Sequence, residues 1–218
     1  VESSHSKRIE KIFMNIDIGN KRQVLIAGGG IGGLAAGVAF ARLGFCVTIL
    51  EQADDFREVG AGVQIGPNGT RALEALGLMD SIRRYAWRPS ALVMRDGFAA
   101  TDILRIPLGE GFLKRFDDPY MVLHRADLLA VLLGACKQNP LIRLETGVRA
   151  VGFIDGPQVT LSLADGRELR GDLLIGADGL RSVVRQNLVG DGPPLPPRYI
   201  VYRGVIPRES LPEDLWSP

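Results

Sequence analysis

The chain has 218 residues, 46% hydrophobic and 23% charged, the make-up of an ordinary globular protein. Its net charge of +1 gives no basis for nucleic acid or a membrane as partner. Cys46 and Cys136 read as buried thiols that suit a reducing cytoplasm, and His5 and His124 have no ligand cluster beside them, so no metal site is expected.

Residues 1–22 read as a polar N-terminal tail without the apolar stretch of a signal peptide. Met14 is the natural start, and Val1 to Phe13 are expected to be an upstream extension. Val24 to Ala27 is a short apolar run, the pattern of a buried parallel strand. Gly28-Gly29-Gly30-Ile31-Gly32-Gly33 follows, then a small-residue helix from Leu34 to Leu43, ended by Gly44. A second apolar strand, Cys46 to Leu50, finishes on Glu51. This is the order of a dinucleotide-binding βαβ unit. Gly28 allows the tight turn, Gly30 lets backbone approach a pyrophosphate, and Gly33 lets helix pack on strand. The helix N-terminus offers free N–H groups to the phosphates. Glu51 can accept both hydroxyls of an adenosine ribose, and its charge repels a 2′-phosphate, which suits FAD or NAD over NADP. A Gly-rich membrane helix is the bland alternative for the uncharged run Gln23 to Ala41. The second β-rich run ending in Glu51 argues against it, and no span is expected.

Gly60 to Gly66 reads as an extended segment, and Pro67 to Thr70 as a turn into a helix carrying Ala72, Leu73, Ala75 and Leu76. Gly77 ends that helix, and Met79 to Trp87 reads as another. The character then turns to β, with strands at Ala91–Arg95, Ile103–Leu108 and Tyr120–His124. The first two alternate as in an antiparallel sheet with one wet face. A helix is expected over Arg125–Gln138, stopped by Asn139-Pro140. Strands follow at Ile142–Glu145, Val148–Ile154, Val159–Leu163 and Glu168–Leu169, with a hairpin turn at Ala164-Asp165-Gly166. His124 reads as a strand-end histidine beside a helix start.

Asp172 to Gly176 reads as a buried strand that runs into Gly176-Ala177-Asp178-Gly179, then a short helix with Arg181 and Arg185. An acid bracketed by glycines at the carboxyl end of a parallel strand lies where α/β sheets bind ligands. The structural alternative is an N-cap on Ser182 after a Gly turn, and by itself that reading is favoured. The proline-rich 192–197 is a stiff crossing, and Ile200 to Ile206 reads as a further strand.

With both stretches in view, the chain resembles the amino-terminal half to two-thirds of the single-component flavin-dependent aromatic hydroxylases, nearest the salicylate and 3-hydroxybenzoate hydroxylase branch. The matching residues are 28–33, Glu51-Gln52, 60–69, 124–128, 176–182 and 202–204. The resemblance implies an α/β, Rossmann-like FAD-binding domain with an inserted, incomplete β-rich substrate domain, in the para-hydroxybenzoate hydroxylase-like fold. The implied division is a tail at 1–22, an FAD-binding domain at 23–88 and 120–192, and substrate-domain segments at 89–119 and 193–218. It further implies monooxygenation of a phenolic aromatic acid by FAD, O2 and NADH or NADPH, through a flavin C4a-hydroperoxide.

Residue by residue, the resemblance puts Gly28, Gly30, Gly32, Gly33, Glu51 and Gln52 at the ADP half of FAD, with Val148 near the adenine. It puts Arg125 at the ribityl-pyrophosphate region, where a guanidinium fork matches phosphate oxygens. The alternative for Arg125 is a solvated first-turn arginine, a position where its charge opposes the helix dipole. Asp178 is implied to serve both FAD and the reduced nicotinamide. Gln64 is a candidate flavin or substrate contact, and Gln64 and Arg203 are the catalytic candidates. Tyr202 and Arg203 read equally well as plain sheet residues.

The family's late Gly-Asp motif, which secures the ribityl chain, is not in these 218 residues. The chain is therefore expected to be a fragment, with exposed sheet edges, weak FAD retention and little turnover. A full-length form is expected to be cytoplasmic and homodimeric. Two other readings stand beside the hydroxylase. One is an NAD-dependent dehydrogenase, against which 124–128, 176–182 and the inserted β segment argue. The other is a truncated, non-catalytic nucleotide-binding fragment.

Overall fold

A computed structural model describes residues 22–57, 61–195, 199–202 and 207–210. In chain order the elements are β1 (Gln23–Ala27), α1 (Ile31–Arg42), β2 (Cys46–Leu50), β3 (Gly62–Ile65), α2 (Pro67–Ala75), α3 (Met79–Ile82), β4 (Ala91–Arg95), β5 (Asp102–Pro107) and α4 (Glu110–Phe116). They continue with β6 (Met121–His124), α5 (Arg125–Gln138), β7 (Ile142–Glu145), β8 (Ala150–Ile154), β9 (Val159–Leu163), β10 (Glu168–Gly171), β11 (Leu173–Gly176) and α6 (Val183–Val189). A 3-10 turn lies at Arg208–Ser210. The described residues fall into two compact units, one from Val1–Phe56 with Leu132–Pro196, the other from Arg57–Val131 with Pro197–Pro218.

The first unit is built on a four-stranded parallel sheet in the order β11-β1-β2-β7. Val24 to Ala27 are all buried, as a central parallel strand requires. α1 starts at Ile31, three residues earlier than the apolar run suggests, because Gly30 already takes the N-cap position. Its small face is turned to the sheet: a Cβ on Gly37 would sit 2.5 Å from Ile49 Cδ1. The spacing Gly33-x-x-x-Gly37, which a membrane helix could share, here serves helix-on-strand packing. α1 ends where Gly44 takes φ +86° and its N–H reaches Ala41 O at 3.0 Å. The antiparallel sheet β10-β9-β8 contributes Leu161 and Leu163 to a core shared with Leu25, Leu50 and Val148. Burial of each such side chain stabilises by about 1.5–3 kcal/mol.

Asp172 clamps the open end of the parallel sheet. Its Oδ2 accepts the Gln23 N–H at 2.7 Å, its Oδ1 accepts from Gln158 Nε2 at 3.1 Å, and its own N–H donates to Gln23 O at 2.8 Å. The Gln23 amide and then the Gln158 side chain hold this carboxyl below the usual carboxylate range. Cys136 is buried as expected, and burial pushes its thiol up to about 11. Cys46, expected to be buried, is half-exposed because it opens β2 at the end of the sheet.

In the second unit β3 and β6 pair antiparallel, with Gly62 opposite His124 and Ile65 opposite Met121. Pro67 to Thr70, read from sequence as a turn, is the first turn of α2, with Pro67 where a missing N–H costs nothing. α3 stops at Ile82 instead of reaching Trp87, because Trp87 leaves to bridge β6, donating to Val122 O at 2.7 Å. β4 and β5 form the expected antiparallel pair, with a bulge at Met94/Arg95. Every residue of β5 is exposed, including Ile103 and Leu104. α4 was not expected: it buries no residue, so it leaves no apolar period in the sequence.

Tyr199–Tyr202 carry no strand, contrary to the expectation for Ile200 to Ile206, whose remaining residues lie outside the described ones. Val148 precedes β8 instead of opening it, since its N–H is taken by Glu51 O at 2.9 Å. Among the described residues no helix is long and apolar enough to cross a membrane, and no cluster of His, Cys, Asp and Glu could hold a metal.

Candidate dinucleotide site

At the carboxyl end of β1 the chain is stitched to both neighbouring strands. Gly28 N–H donates to Leu50 O at 2.8 Å, and Ala177 N–H donates to Ala27 O at 2.8 Å. Gly28 has φ +104°, and a Cβ there would lie 2.2 Å from Ala177 O. A Cβ on Gly33 would lie 1.9 Å from Gly28 O, so α1 begins in backbone contact with the loop that precedes it. Gly29, which the sequence reading passed over, is as constrained: its Cβ would meet Phe56 Cε1 at 2.3 Å and Glu51 Cβ at 2.9 Å. The third consecutive glycine was the only signal for it. Gly30 and Gly32 differ, because a Cβ on either would have nothing within 4 Å.

Glu51, at the carboxyl end of β2, is held before any ligand arrives. Its Oε2 accepts the Gly29 N–H at 2.8 Å and its Oε1 accepts the Ala53 N–H at 2.9 Å. The carboxylate is thus tied to the same glycine loop and kept half-buried beside it. Gln52 is exposed. Val148 is buried in the core beneath, joined through its backbone to Glu51.

The third component is the turn after β11. Asp178 accepts from Ser182 Oγ at 2.5 Å through Oδ1, and from the N–H groups of Val183 at 2.6 Å and Val184 at 3.2 Å through Oδ2. Ser182 Oγ in turn accepts the Arg185 N–H at 2.9 Å. Asp178 and Ser182 together cap α6, so the structural reading of this stretch is present in full. Arg181 precedes the helix and Arg185 lies within it.

Gly28, Gly30, Gly32, Gly33, Glu51, Gln52, Val148 and Asp178 all lie in the first unit. Gln64 and Arg125 belong to the second. Gln64 is exposed on β3 opposite Val122, and Arg125 is exposed at the first position of α5, its N–H donating to Ala61 O at 3.3 Å. Arg203 lies outside the described residues.

The FAD binding domain family matches residues 21–191, most of the chain and all of the first unit's strands. The chain belongs to the FAD binding domain family. It is 41% identical over 196 residues to 3-hydroxybenzoate 6-hydroxylase 1 of Aquipseudomonas alcaligenes, covering 89% of this chain and 50% of that protein. To the 3-hydroxybenzoate 6-hydroxylase of Polaromonas naphthalenivorans (strain CJ2) it is 42% identical over 196 residues, covering 89% of this chain and 49% of that one. Among solved structures, Klebsiella pneumoniae HpxO complexed with FAD and uric acid superposes with a TM-score of 0.68 at 26% identity, over 81% of this chain and 44% of that chain. The chain spans about half the length of the curated relatives it matches. The α/β class read from the sequence holds, and membership of an FAD family favours FAD over NAD as the dinucleotide of the Gly28 loop.

The residues present fit that cofactor. α1 has no side-chain cap and no acidic residue in its first turn, so its leading N–H groups face outward uncompensated. The Cβ-free space at Gly30 and Gly32 lies at that same end. A pyrophosphate suits both features, one electrostatically and one sterically.

Proposed function

We propose that this chain provides the FAD-binding part of a monooxygenase that hydroxylates a phenolic aromatic acid of the hydroxybenzoate or salicylate class, using NADH or NADPH and O2. The observation that carries the reading is the uncapped start of α1, open at Gly30 and Gly32, beside a Glu51 carboxylate already oriented by two backbone donors. The relatives named above are hydroxylases of small aromatic molecules, which supports the substrate class. FAD-binding segments at 23–88 and 120–192, with substrate-facing segments at 89–119 and 193–218, form part of the same proposal, as do a cytoplasmic setting and a homodimer.

Bound FAD supplies hydride acceptance from the nicotinamide and activation of O2. The chain's own residues do the holding. α1 faces the pyrophosphate with N–H groups, and Gly30 lets the backbone close on it. Glu51 accepts ribose hydroxyls on the lone pairs that Gly29 and Ala53 leave unused, and its charge disfavours a 2′-phosphate. Arg125 offers a guanidinium to phosphate oxygens. Asp178 holds the turn against which Gly28 packs, and Gln64 and Arg203 are the candidates to meet the reacting rings.

Flavin absorbance of the purified chain, titrated with FAD, tests the binding half of this reading, with Glu51→Gln as the comparison. Uptake that weakens at least tenfold in the variant is expected, since a hydrogen bond to a charged group contributes about 1.5–3 kcal/mol. Hydroxybenzoate-stimulated NADH oxidation with a hydroxylated product tests the rest. No flavin uptake by a folded chain overturns the proposal.

A further inference from the structure

His124 is the last residue of β6, and α5 begins at the next residue with no linker between them. A 14-residue helix starting this abruptly must find acceptors for its leading N–H groups. Two are supplied from the strand side. Ala61 O accepts the N–H of Arg125, and the Nδ1 atom of the His124 ring accepts the N–H of Ala126, each at 3.3 Å. His124 therefore occupies the N-cap position and bonds the second helical residue, the role that serine, asparagine or aspartate ordinarily fills. An accepting Nδ1 requires the neutral ring with its proton on Nε2. Asp127 adds a negative charge in the first turn, at the positive end of the dipole.

Between these two bonds sits Arg125. Its own N–H and the next are both fixed, so the direction in which its side chain leaves the helix is fixed with them. A cation at this position opposes the dipole and gains nothing from the helix itself. β3, which pairs with β6 here, brings no charged residue to the junction: it reads Gly62-Val63-Gln64-Ile65.

We propose that His124 is a positioning residue for FAD binding, its neutral imidazole capping α5 so that Arg125 is presented in one orientation to the diphosphate. This rests on the reading that Arg125 meets FAD. Loss of a cap opens the first helical turn roughly two- to thirtyfold more often, and FAD affinity falls with the fraction of correctly presented Arg125.

The test uses the full chain and four proteins: wild type, Arg125→Ala, His124→Ala and His124→Asn. Two quantities are read, the FAD dissociation constant and the hydrogen-exchange rate of the Ala126 amide. Arg125→Ala should weaken FAD binding without raising Ala126 exchange. His124→Ala should weaken FAD severalfold and speed that exchange by a similar factor. His124→Asn, which keeps an acceptor at the N-cap, should restore both. If Arg125→Ala leaves FAD affinity unchanged, the role of Arg125 is wrong and the proposal goes with it. If Arg125→Ala weakens binding but His124→Ala speeds exchange alone, or if asparagine restores neither quantity, His124 does not position Arg125.

Discussion

Gly28 and Ala177 meet backbone to backbone, closely enough that a methyl group on residue 28 would sit 2.2 Å from the Ala177 carbonyl oxygen. They are 149 residues apart in sequence, 177 minus 28, yet they join the two turns on which the candidate site is built. The glycines of this loop therefore do two different jobs, and substitution separates them.

Gly28→Ala must displace the Ala177-Asp178 backbone and also hold a side chain at φ +104°. It is expected to destabilise the fold by more than about 2 kcal/mol, a backbone clash adding to the strain. Gly30→Ala places its methyl in open space at an ordinary φ of −71°. Thermal unfolding should leave Gly30→Ala within about 0.5 kcal/mol of the parent, while flavin titration shows its FAD affinity reduced. Equal losses of stability in the two variants would contradict this division.

Asp178 makes three hydrogen bonds inside its own turn. Asp178→Asn keeps one accepting oxygen and points an NH2 group at donors on the other side. A loss of about 1–2 kcal/mol follows, read calorimetrically as a fall of roughly 2–8 °C in Tm. A large drop in FAD affinity at unchanged Tm would instead mean that this carboxylate is spent on the ligand.

Asp172 makes the sheet acid-sensitive. Its folded carboxyl is held below the ordinary value of 3.8, first by the Gln23 amide and then by Gln158. The stabilisation is complete above that ordinary value and is lost as pH falls through the lower, folded one. Urea unfolding followed from pH 6 downwards should show stability declining below about pH 4, and less steeply in Asp172→Asn.

Cys136 is fully buried, with Sγ 3.5 Å from Leu34 O and its thiol pushed up to about 11. A thiol-specific reagent at pH 8 should modify the half-exposed Cys46 in the native protein and reach Cys136 only on unfolding. Two equally fast thiols would show that the packing between α1 and α5 is looser than described.

Much of this architecture was legible in the sequence because the first unit follows simple periodicities. Cys46–Leu50, Arg125–Gln138, Ile142–Glu145 and Val159–Leu163 appear with the expected bounds. Errors arose where the signal was not apolar. α4 buries nothing, Pro67 opens a helix as readily as it makes a turn, and Trp87 is drawn out of α3 by a bridge to Val122 that no local pattern records. In the site, Gly28, Glu51 and Asp178 could be named from their spacing. Three constraints could not: Gly29 pressed against Phe56, the anchoring of Glu51 by two amides, and the imidazole cap of His124. Each depends on groups brought together only by folding.

The strand order β11-β1-β2-β7 also has a consequence in time. β1 is synthesised early, but the Asp172 that clamps Gln23 lies 149 residues later. At translation rates of about 5–20 residues per second, one side of β1 waits roughly 7–30 s for its partner. During that interval the nascent chain presents an apolar strand edge to the ribosome surface and to chaperones. Ribosome-stalled chains ending before residue 172 should therefore remain chaperone-bound, and release should come only once β11 has emerged.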